Sequence, residues 1–521
     1  MGRVAANRAL ARDVIGRLLA DGVATFCVCP GGRNAPLVEV LWASTGVEVL
    51  SFFDERSAGF FALGRARRDH APVAVVTTSG TATAELLAPM VEAYYAGAAL
   101  VAVTADRPRG YRGTGAPQSI EQERLYGVYA PQFLDLDAPG EAWALDVSAP
   151  VHLNVCFDEP LLDGDGPGGA LCPPPLATPA PRSDVDPSQA AVVSAFLDRA
   201  RSPLVIVGSL DAEDDRGAVV RFCRALGAPV LPEAGAGVGP LVDRLVLRSG
   251  DAAAARGFAV GAFDAVIRLG DVPSCRVWRD LDLALRVPVL SVSRRRWRGL
   301  TRGTHLAAAP HRALPLPGAA SVPALPELLA WDRHLAAVTG GLLDRYPDSE
   351  PALVRRLSAV IPAGSFVYLG NSLPIREWTR FAGPDRGFSI GESRGANGID
   401  GQVSTFLGWA RPGADNWALL GDLTALYDLS ALWALRHLEG LRLRIVVMNN
   451  GGGRIFERMF SDGRFQNRHH VGFEAWGGLW GVACHVGGVA DPAEDVALLE
   501  LRPDDRQTQA FWDSLAAESR A

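Results

Sequence analysis

Two short segments of this 521-residue chain carry residue types that could hold a metal and a phosphate. The apolar run Trp417–Leu420 stops at Gly421-Asp422-Leu423-Thr424. A helical stretch over Leu426–His437 follows, and a second apolar run, Leu443–Met448, stops at Asn449-Asn450-Gly451-Gly452-Gly453. Asp422, the side-chain oxygen of Asn449 and the carbonyl of Gly451 are hard oxygen donors. Such a set suits Mg2+, with Mn2+ as an alternative ion, when phosphate oxygens complete the coordination. A helix start after Asp422 would add unpaired N–H groups for a diphosphate. The glycines let backbone approach that group with no Cβ in the way. Either dipeptide alone is an ordinary turn; two strand ends separated by one helix make a more specific pattern. A further candidate is Glu55, which follows a strand-like run in Phe53-Asp54-Glu55-Arg56-Ser57-Ala58. Taken alone, a glutamate at a helix start complements the helix dipole.

These residues need elements that place them at strand ends. Thr25–Cys29, Val47–Phe53, Val73–Thr77 and Leu100–Thr104 are short apolar runs separated by helical signals, the first of which is Ala9–Leu19. That alternation predicts a parallel sheet covered on both faces. A Pro/Gly-rich stretch over 164–187 reads as a linker. A second block has apolar runs at Pro203–Gly208, Pro229–Leu231, Ala265–Leu269 and Val287–Val292. A third, starting near Pro351, has them at Phe366–Leu369, Trp417–Leu420 and Arg444–Met448. The expected fold class is α/β, with three tandem parallel-sheet domains over 1–163, 188–345 and 346–521. The first and third are open to being distant relatives.

Composition narrows the chemistry. All 51 basic residues are arginine, which excludes a Schiff-base lysine and a lysine-bearing P-loop. The net charge is −7 and no long basic run occurs, so nucleic acid is not an expected partner. The seven cysteines are scattered with no Cys-x-x-Cys pair, which suggests small core residues in a reducing compartment. No signal-like N-terminus and no apolar stretch of membrane-spanning length are seen. A cytoplasmic protein that does not enter a membrane is expected.

The Gly-Asp and Asn-Asn-Gly spacing resembles the thiamine diphosphate motif, in which a glutamate on another domain bonds the cofactor's pyrimidine ring. The likeness sharpens over longer segments. These are Pro30-Gly31-Gly32-Arg33-Asn34-Ala35-Pro36-Leu37, Asp54–Gly64, Thr77-Thr78-Ser79-Gly80-Thr81-Ala82, Thr104-Ala105-Asp106-Arg107-Pro108, Gly115-Ala116-Pro117-Gln118 and Pro150–Asn154. Further on stand Gly370-Asn371-Ser372-Leu373-Pro374-Ile375-Arg376 and Ser393-Arg394-Gly395-Ala396-Asn397-Gly398-Ile399-Asp400-Gly401. Together they resemble the MenD family, the 2-succinyl-5-enolpyruvyl-6-hydroxy-3-cyclohexene-1-carboxylate synthases of menaquinone biosynthesis. The likeness is faint in the middle domain.

The resemblance implies a transferase that decarboxylates 2-oxoglutarate on thiamine diphosphate and adds the resulting carbanion 1,4 to isochorismate. It implies a homodimer, or a dimer of dimers, in which Glu55 of one subunit activates cofactor held by the other. Asp422, Asn449 and Gly451 would hold the metal. Ser79, Gly80, Ile399, Gly421, Leu423, Thr424, Gly452, Ile455 and Phe456 would surround the cofactor, Ile399 propping its bent shape. Both substrates are dicarboxylates, which suits bidentate arginines. Arg33, Arg107, Arg276, Arg376 and Arg394 are the expected partners, with Gln118, Asn371 and Ser372 as neutral groups. His152 reads as structural, and His469-His470 as a loop pair.

Four departures bear on the acceptor. Gly32 stands where the family has serine, Pro117 replaces an asparagine, Arg454 is an extra residue before Ile455-Phe456, and Phe473–Gly477 matches poorly. A relative with another acceptor, a simple decarboxylase and a non-catalytic cofactor-binding subunit therefore stay open.

Overall fold

The computed structural model describes residues 2–174, 185–210, 212–317, 325–457, 459–460 and 462–520. Its first sheet comprises β1 (Thr25–Val28), β2 (Glu48–Ser51), β3 (Val73–Thr77), β4 (Leu100–Asp106), β5 (Gln132–Leu136) and β6 (Val151–Cys156). The second has β7 (Pro203–Val207), β8 (Val230–Pro232), β9 (Ala265–Leu269), β10 (Val289–Ser293) and β11 (Thr304–Ala307). The third has β12 (Phe366–Leu369), β13 (Ser389–Glu392), β14 (Asp415–Gly421), β15 (Arg442–Met448), β16 (Ala483–Val486) and β17 (Val496–Leu501). All the strand pairings are parallel.

The first sheet runs β2-β1-β3-β4-β6-β5 and the third runs β13-β12-β14-β15-β17-β16. Counted from each sheet's own first strand, the two orders are identical, as a relationship between the two domains would require. The sheets are near-continuous Val, Ile, Leu and Ala runs because helices cover both faces. The middle sheet, β11-β10-β9-β7-β8, has its own cores around Val205 and Ile267 on one face and Leu204 and Val266 on the other.

The chain packs as two compact units. One contains the first sheet together with Ser393–Gly413 and Leu423–Leu441; the other contains the second and third sheets. The stretch read as one helix over Leu426–His437 is two elements: an α-helix over Asp422–Tyr427, then a 3-10 helix over Leu429–His437. The break at Asp428 has a tertiary cause. Its carboxylate accepts from Ser404 instead of continuing a helical surface. Part of the stretch read as a linker over 164–187 lies outside the described residues, and Pro187 already opens a helix capped by Asp186.

In the first unit the helix Glu55–Asp69 starts where the Asp54 carboxylate accepts from Ser57 N–H, a side-chain N-cap. It ends at His70, which is left-handed at φ 51°. The helix Gln402–Trp409 crosses it at two glycines. A Cβ on Gly64 would lie 2.0 Å from the Thr405 carbonyl oxygen, and one on Gly408 2.0 Å from that of Phe61. Only glycine permits this approach. Gly64→Val should therefore destabilise the fold by about 2 kcal/mol or more, because overpacking forces backbone shifts. Gly110, with nothing within 4 Å of its Cβ position, is the control: Gly110→Ala should be near neutral. Urea unfolding of both variants checks this.

Candidate active site

The parallel pairing of β14 and β15 sets Gly421 opposite Met448, so both strands end at the same level. Asp422 and Asn449 then emerge side by side at the carboxyl edge of the sheet, where open α/β sheets bind ligands. The buried Asp422 accepts through Oδ2 from the Gly451 amide at 2.8 Å and the Gly452 amide at 2.9 Å. The turn that makes this possible is glycine-dependent: Gly451 and Gly452 have φ of 76° and 135°, and a Cβ on Gly452 would lie 2.5 Å from the Gln466 carbonyl. Asn449 donates through Nδ2 to the Val471 carbonyl at 2.9 Å and to Glu500 Oε1 at 2.6 Å. That fixes which end of its amide is the acceptor. Burial works against the charge of Glu500, yet bonds from Arg502, the Phe473 amide and Asn449 hold its carboxyl below the usual range.

His469, read as half of a loop pair, does lie in a loop, and that loop folds back onto Asp422. Its Nε2 lies 3.3 Å from Asp422 Oδ2, and its amide donates to the Gly451 carbonyl at 3.2 Å. Among the described residues, no three His, Cys, Asp or Glu side chains gather as metal ligands. A cation at this turn would therefore depend on one carboxylate, amide and carbonyl oxygens, and oxygens brought by a ligand.

In the same unit Arg276, Arg376 and Ile455 line one cavity of about 650 Å³. Arg248, Arg279, Arg355 and Arg380 also face it, against the acids Glu233, Asp251 and Glu377. Arg376 follows Asn371-Ser372 at the end of β12 and donates through Nη1 to the Ser372 carbonyl. Ser372 is itself left-handed, at φ 74°, and Asn371 is buried. The Arg276 side chain is 75% exposed, with Asp280 3.5 Å away. Phe456 does not line the cavity; its ring sits 6.3 Å from that of Phe460. Arg454 turns to the Asn450 carbonyl, Glu457 and Asp505.

The other unit holds the remaining predicted residues. Arg33 is almost fully buried and donates to the Phe157 carbonyl at 3.0 Å and to Glu159 Oε1 at 2.8 Å. Arg107 Nη1 lies 3.9 Å from the same Glu159 oxygen. Two arginines from different strand ends thus face one carboxylate. Arg107 also donates to the Pro117 carbonyl at 3.0 Å, a bond that needs no side chain at 117. A Cβ on Gly32 would meet nothing within 4 Å, so this departure leaves open space and does not distort backbone. Gln118 is exposed and left-handed, at φ 56°, and packs under Gly80. Ser79 is buried, and the Gly80 amide donates to Gln122 Oε1 at 3.0 Å.

Glu55 is half-buried at its helix start, and its carboxyl is pushed above the usual range by burial and by neighbouring Asp54 and Glu85. Arg394 and Ile399 lie on one loop, which is clamped at Gly395 and Ala396 by the buried Glu92 carboxylate at 2.8 and 2.6 Å. Leu423 is half-buried and Thr424 buried. His152 is structural as expected: it bonds Thr104, packs against Tyr126 and Phe133, and burial lowers its pKa to about 3. Glu92, Gln122 and Glu500 escaped the sequence reading, since a lone polar residue in a helix, loop or strand carries no spacing signal.

The description "Thiamine pyrophosphate enzyme, N-terminal TPP binding domain" matches residues 8–125. The 2-succinyl-5-enolpyruvyl-6-hydroxy-3-cyclohexene-1-carboxylate synthase of Bdellovibrio bacteriovorus is 41% identical over 97% of this chain and 98% of its own length. The synthase of the same name from Akkermansia muciniphila is 36% identical over 97% and 98%. Among solved structures, the Rhodococcus jostii thiamine diphosphate-dependent 4-hydroxybenzoylformate decarboxylase superposes with a TM-score of 0.67 at 16% identity, covering 96% of this chain and 99% of that one. That last likeness concerns the fold alone. With paired strand ends, a glycine-built turn and full-length relatives in agreement, the chain belongs to the 2-succinyl-5-enolpyruvyl-6-hydroxy-3-cyclohexene-1-carboxylate synthases, thiamine diphosphate-dependent enzymes of menaquinone biosynthesis.

Proposed function

We propose that this enzyme takes 2-oxoglutarate as donor and isochorismate as acceptor, uses Mg2+ to hold its cofactor, and works as a cytoplasmic homodimer. The observation that carries the reading is the β14–β15 register, which puts Asp422 against the Gly451-Gly452 turn beside Asn449. Asp422, Asn449 Oδ1 and the Gly451 carbonyl would hold the Mg2+, being hard donors with a single carboxylate among them, and the ion would supply charge to offset that of a diphosphate. Bound thiamine diphosphate supplies the electron sink that lets a 2-oxo acid lose carbon dioxide and pass on its remaining carbons.

This chain's residues do the rest. The Glu55 carboxyl, which burial and neighbouring Asp54 and Glu85 push above the usual range, would meet the cofactor's pyrimidine ring and exchange a proton with it. Arg276 and Arg376 bind substrate carboxylates in the 650 Å³ cavity, while Ile455 forms part of its apolar wall. Arg33 and Arg107 are a second carboxylate pair, for which Glu159 is the stand-in ligand. Arg394 and Gln118 complete the polar set. Ile399, on the Arg394 loop, Ser79, Gly80, Leu423 and Thr424 would hold the cofactor's pyrimidine end, and Phe456 would supply apolar surface for the end held by the other strand-edge residues.

A second copy of the chain supplies the missing half of the site, Glu55 of one protomer meeting the cofactor held by its partner. Exposed Phe53, Leu87, Tyr427 and Leu429 around the Glu55 helix support this, as an apolar patch marks a contact surface. Free cysteines, four of seven buried, support a reducing compartment. No helix among the described residues is long and apolar enough to cross a membrane.

Carbon dioxide release and isochorismate loss, followed together with 2-oxoglutarate, thiamine diphosphate and Mg2+, should match one to one. Carbon dioxide without isochorismate loss would instead assign another acceptor, as the missing side-chain donors at Gly32 and Pro117 would then imply. Asp422→Ala should weaken Mg2+-dependent cofactor binding at least about tenfold, roughly 1.4 kcal/mol, by tryptophan quenching; unchanged affinity would overturn the metal assignment. Glu55→Gln should cut turnover about a hundredfold or more with cofactor affinity little changed. Normal turnover would remove Glu55 from the mechanism.

A further inference from the structure

The start of the Glu55 helix is held by a buried polar chain that the reaction as proposed does not use. Asp428, fully buried at the break between two helices, accepts from the Ser404 amide at 2.7 Å and from Ser404 Oγ at 3.1 Å. Ser404 Oγ also lies 2.8 Å from Ser57 Oγ, in the first turn of the Glu55 helix. The Ser57 amide donates to the Asp54 cap at 3.0 Å, and Ser430 Oγ donates to the other oxygen of that cap. Arg56 Nη2 stands 3.9 Å from Asp428 Oδ1. The two residues that flank Glu55, Asp54 and Arg56, are therefore each tied to the Asp428–Ser430 segment.

A buried carboxylate costs stability unless its oxygens are satisfied. Burial drives the Asp428 pKa up to about 6. A neutral group of similar size would avoid that cost, and the chain nonetheless carries an acid here, aimed at the turn where Glu55 stands. Glu55 has a task that demands placement: a proton donor displaced by about 1 Å loses on the order of a hundredfold in rate.

We propose that Asp428 is a positioning residue for Glu55, acting through Ser404 and Ser57 to fix the first turn of the helix that presents it. The inference rests on the reading of Glu55 as the group that activates the cofactor. It assigns Asp428 no contact with substrate or cofactor.

The test is the rate at which the thiazolium C2 proton of thiamine diphosphate exchanges with deuterium in the holoenzyme, read by NMR after acid quench. Asp428→Asn and Ser404→Ala should each slow exchange about tenfold or more, with cofactor affinity and melting temperature close to wild type. Ser57→Ala combined with Ser404→Ala should be no slower than Ser404→Ala alone, because residues in one relay are not additive. Glu55→Gln, run alongside, separates the two ideas. If it slows exchange while Asp428→Asn and Ser404→Ala do not, Glu55 is the activator and the positioning role is wrong. If Glu55→Gln exchanges normally, the activator reading falls and takes this inference with it. Additive effects of the two serine variants would also overturn the relay. Should Asp428→Asn fail to fold, Ser404→Ala decides alone, since it removes one hydroxyl and keeps the amide that Asp428 accepts from.

Discussion

Everything at the Asp422 edge of the third sheet depends on one constraint, the parallel register between β14 and β15. With Gly421 opposite Met448, both chains leave the sheet at the same height, and Asp422 can accept from two successive amides beyond β15. A slip of one residue would turn Asp422 to the other face of its strand and lose both bonds. The register is held by apolar burial on both faces: Trp417, Leu419, Val446 and Met448 on one, Ala418, Leu420, Ile445 and Val447 on the other. A site made of backbone amides and one carboxylate is thereby anchored in hydrophobic packing that has no role in chemistry.

A buried carboxylate aimed at backbone amides recurs in several places. Asp422 holds the Gly451 turn, Glu92 holds the loop with Arg394 and Ile399, and Glu500 orients Asn449. Glycines accompany two of them. Gly395 could not carry a Cβ, with the Glu92 carbonyl oxygen 2.7 Å from that position, and Gly452 could not because of Gln466. Each pairing converts a flexible segment into a fixed one, because an unsatisfied buried acid or amide costs too much to leave unpaired. Placing functional groups on loops clamped in this way combines access with rigidity.

The arginines show why a charge census alone does not find a site. All 51 basic residues are arginine, and many pair with a nearby acid, several of them on the surface. Those with room for a ligand are separated by position, not type. Arg276 and Arg376 share a cavity, whereas Arg33 and Arg107 share the Glu159 carboxylate. Gly32 and Pro117 change little around them, one leaving space and the other contributing a carbonyl.

Much of this was legible in the chain itself. Apolar runs of four or five residues bounded by turn and helix signals read as strands, because runs that short and that apolar bury well inside a covered parallel sheet; Val73–Thr77, Ala265–Leu269 and Phe366–Leu369 match their predicted bounds residue for residue. The Gly-Asp and Asn-Asn-Gly turns were visible for the same reason, since strand ends are punctuated by residues with special backbone freedom. What tertiary structure alone decided is non-local. The break at Asp428, the approach of His469 to Asp422, the clamp from Glu92 and the split of the arginines between cavity and ion pair all join residues far apart in sequence. No periodicity or spacing encodes such contacts; they exist only once separate helices and strands have packed and left each buried polar group to find its partner.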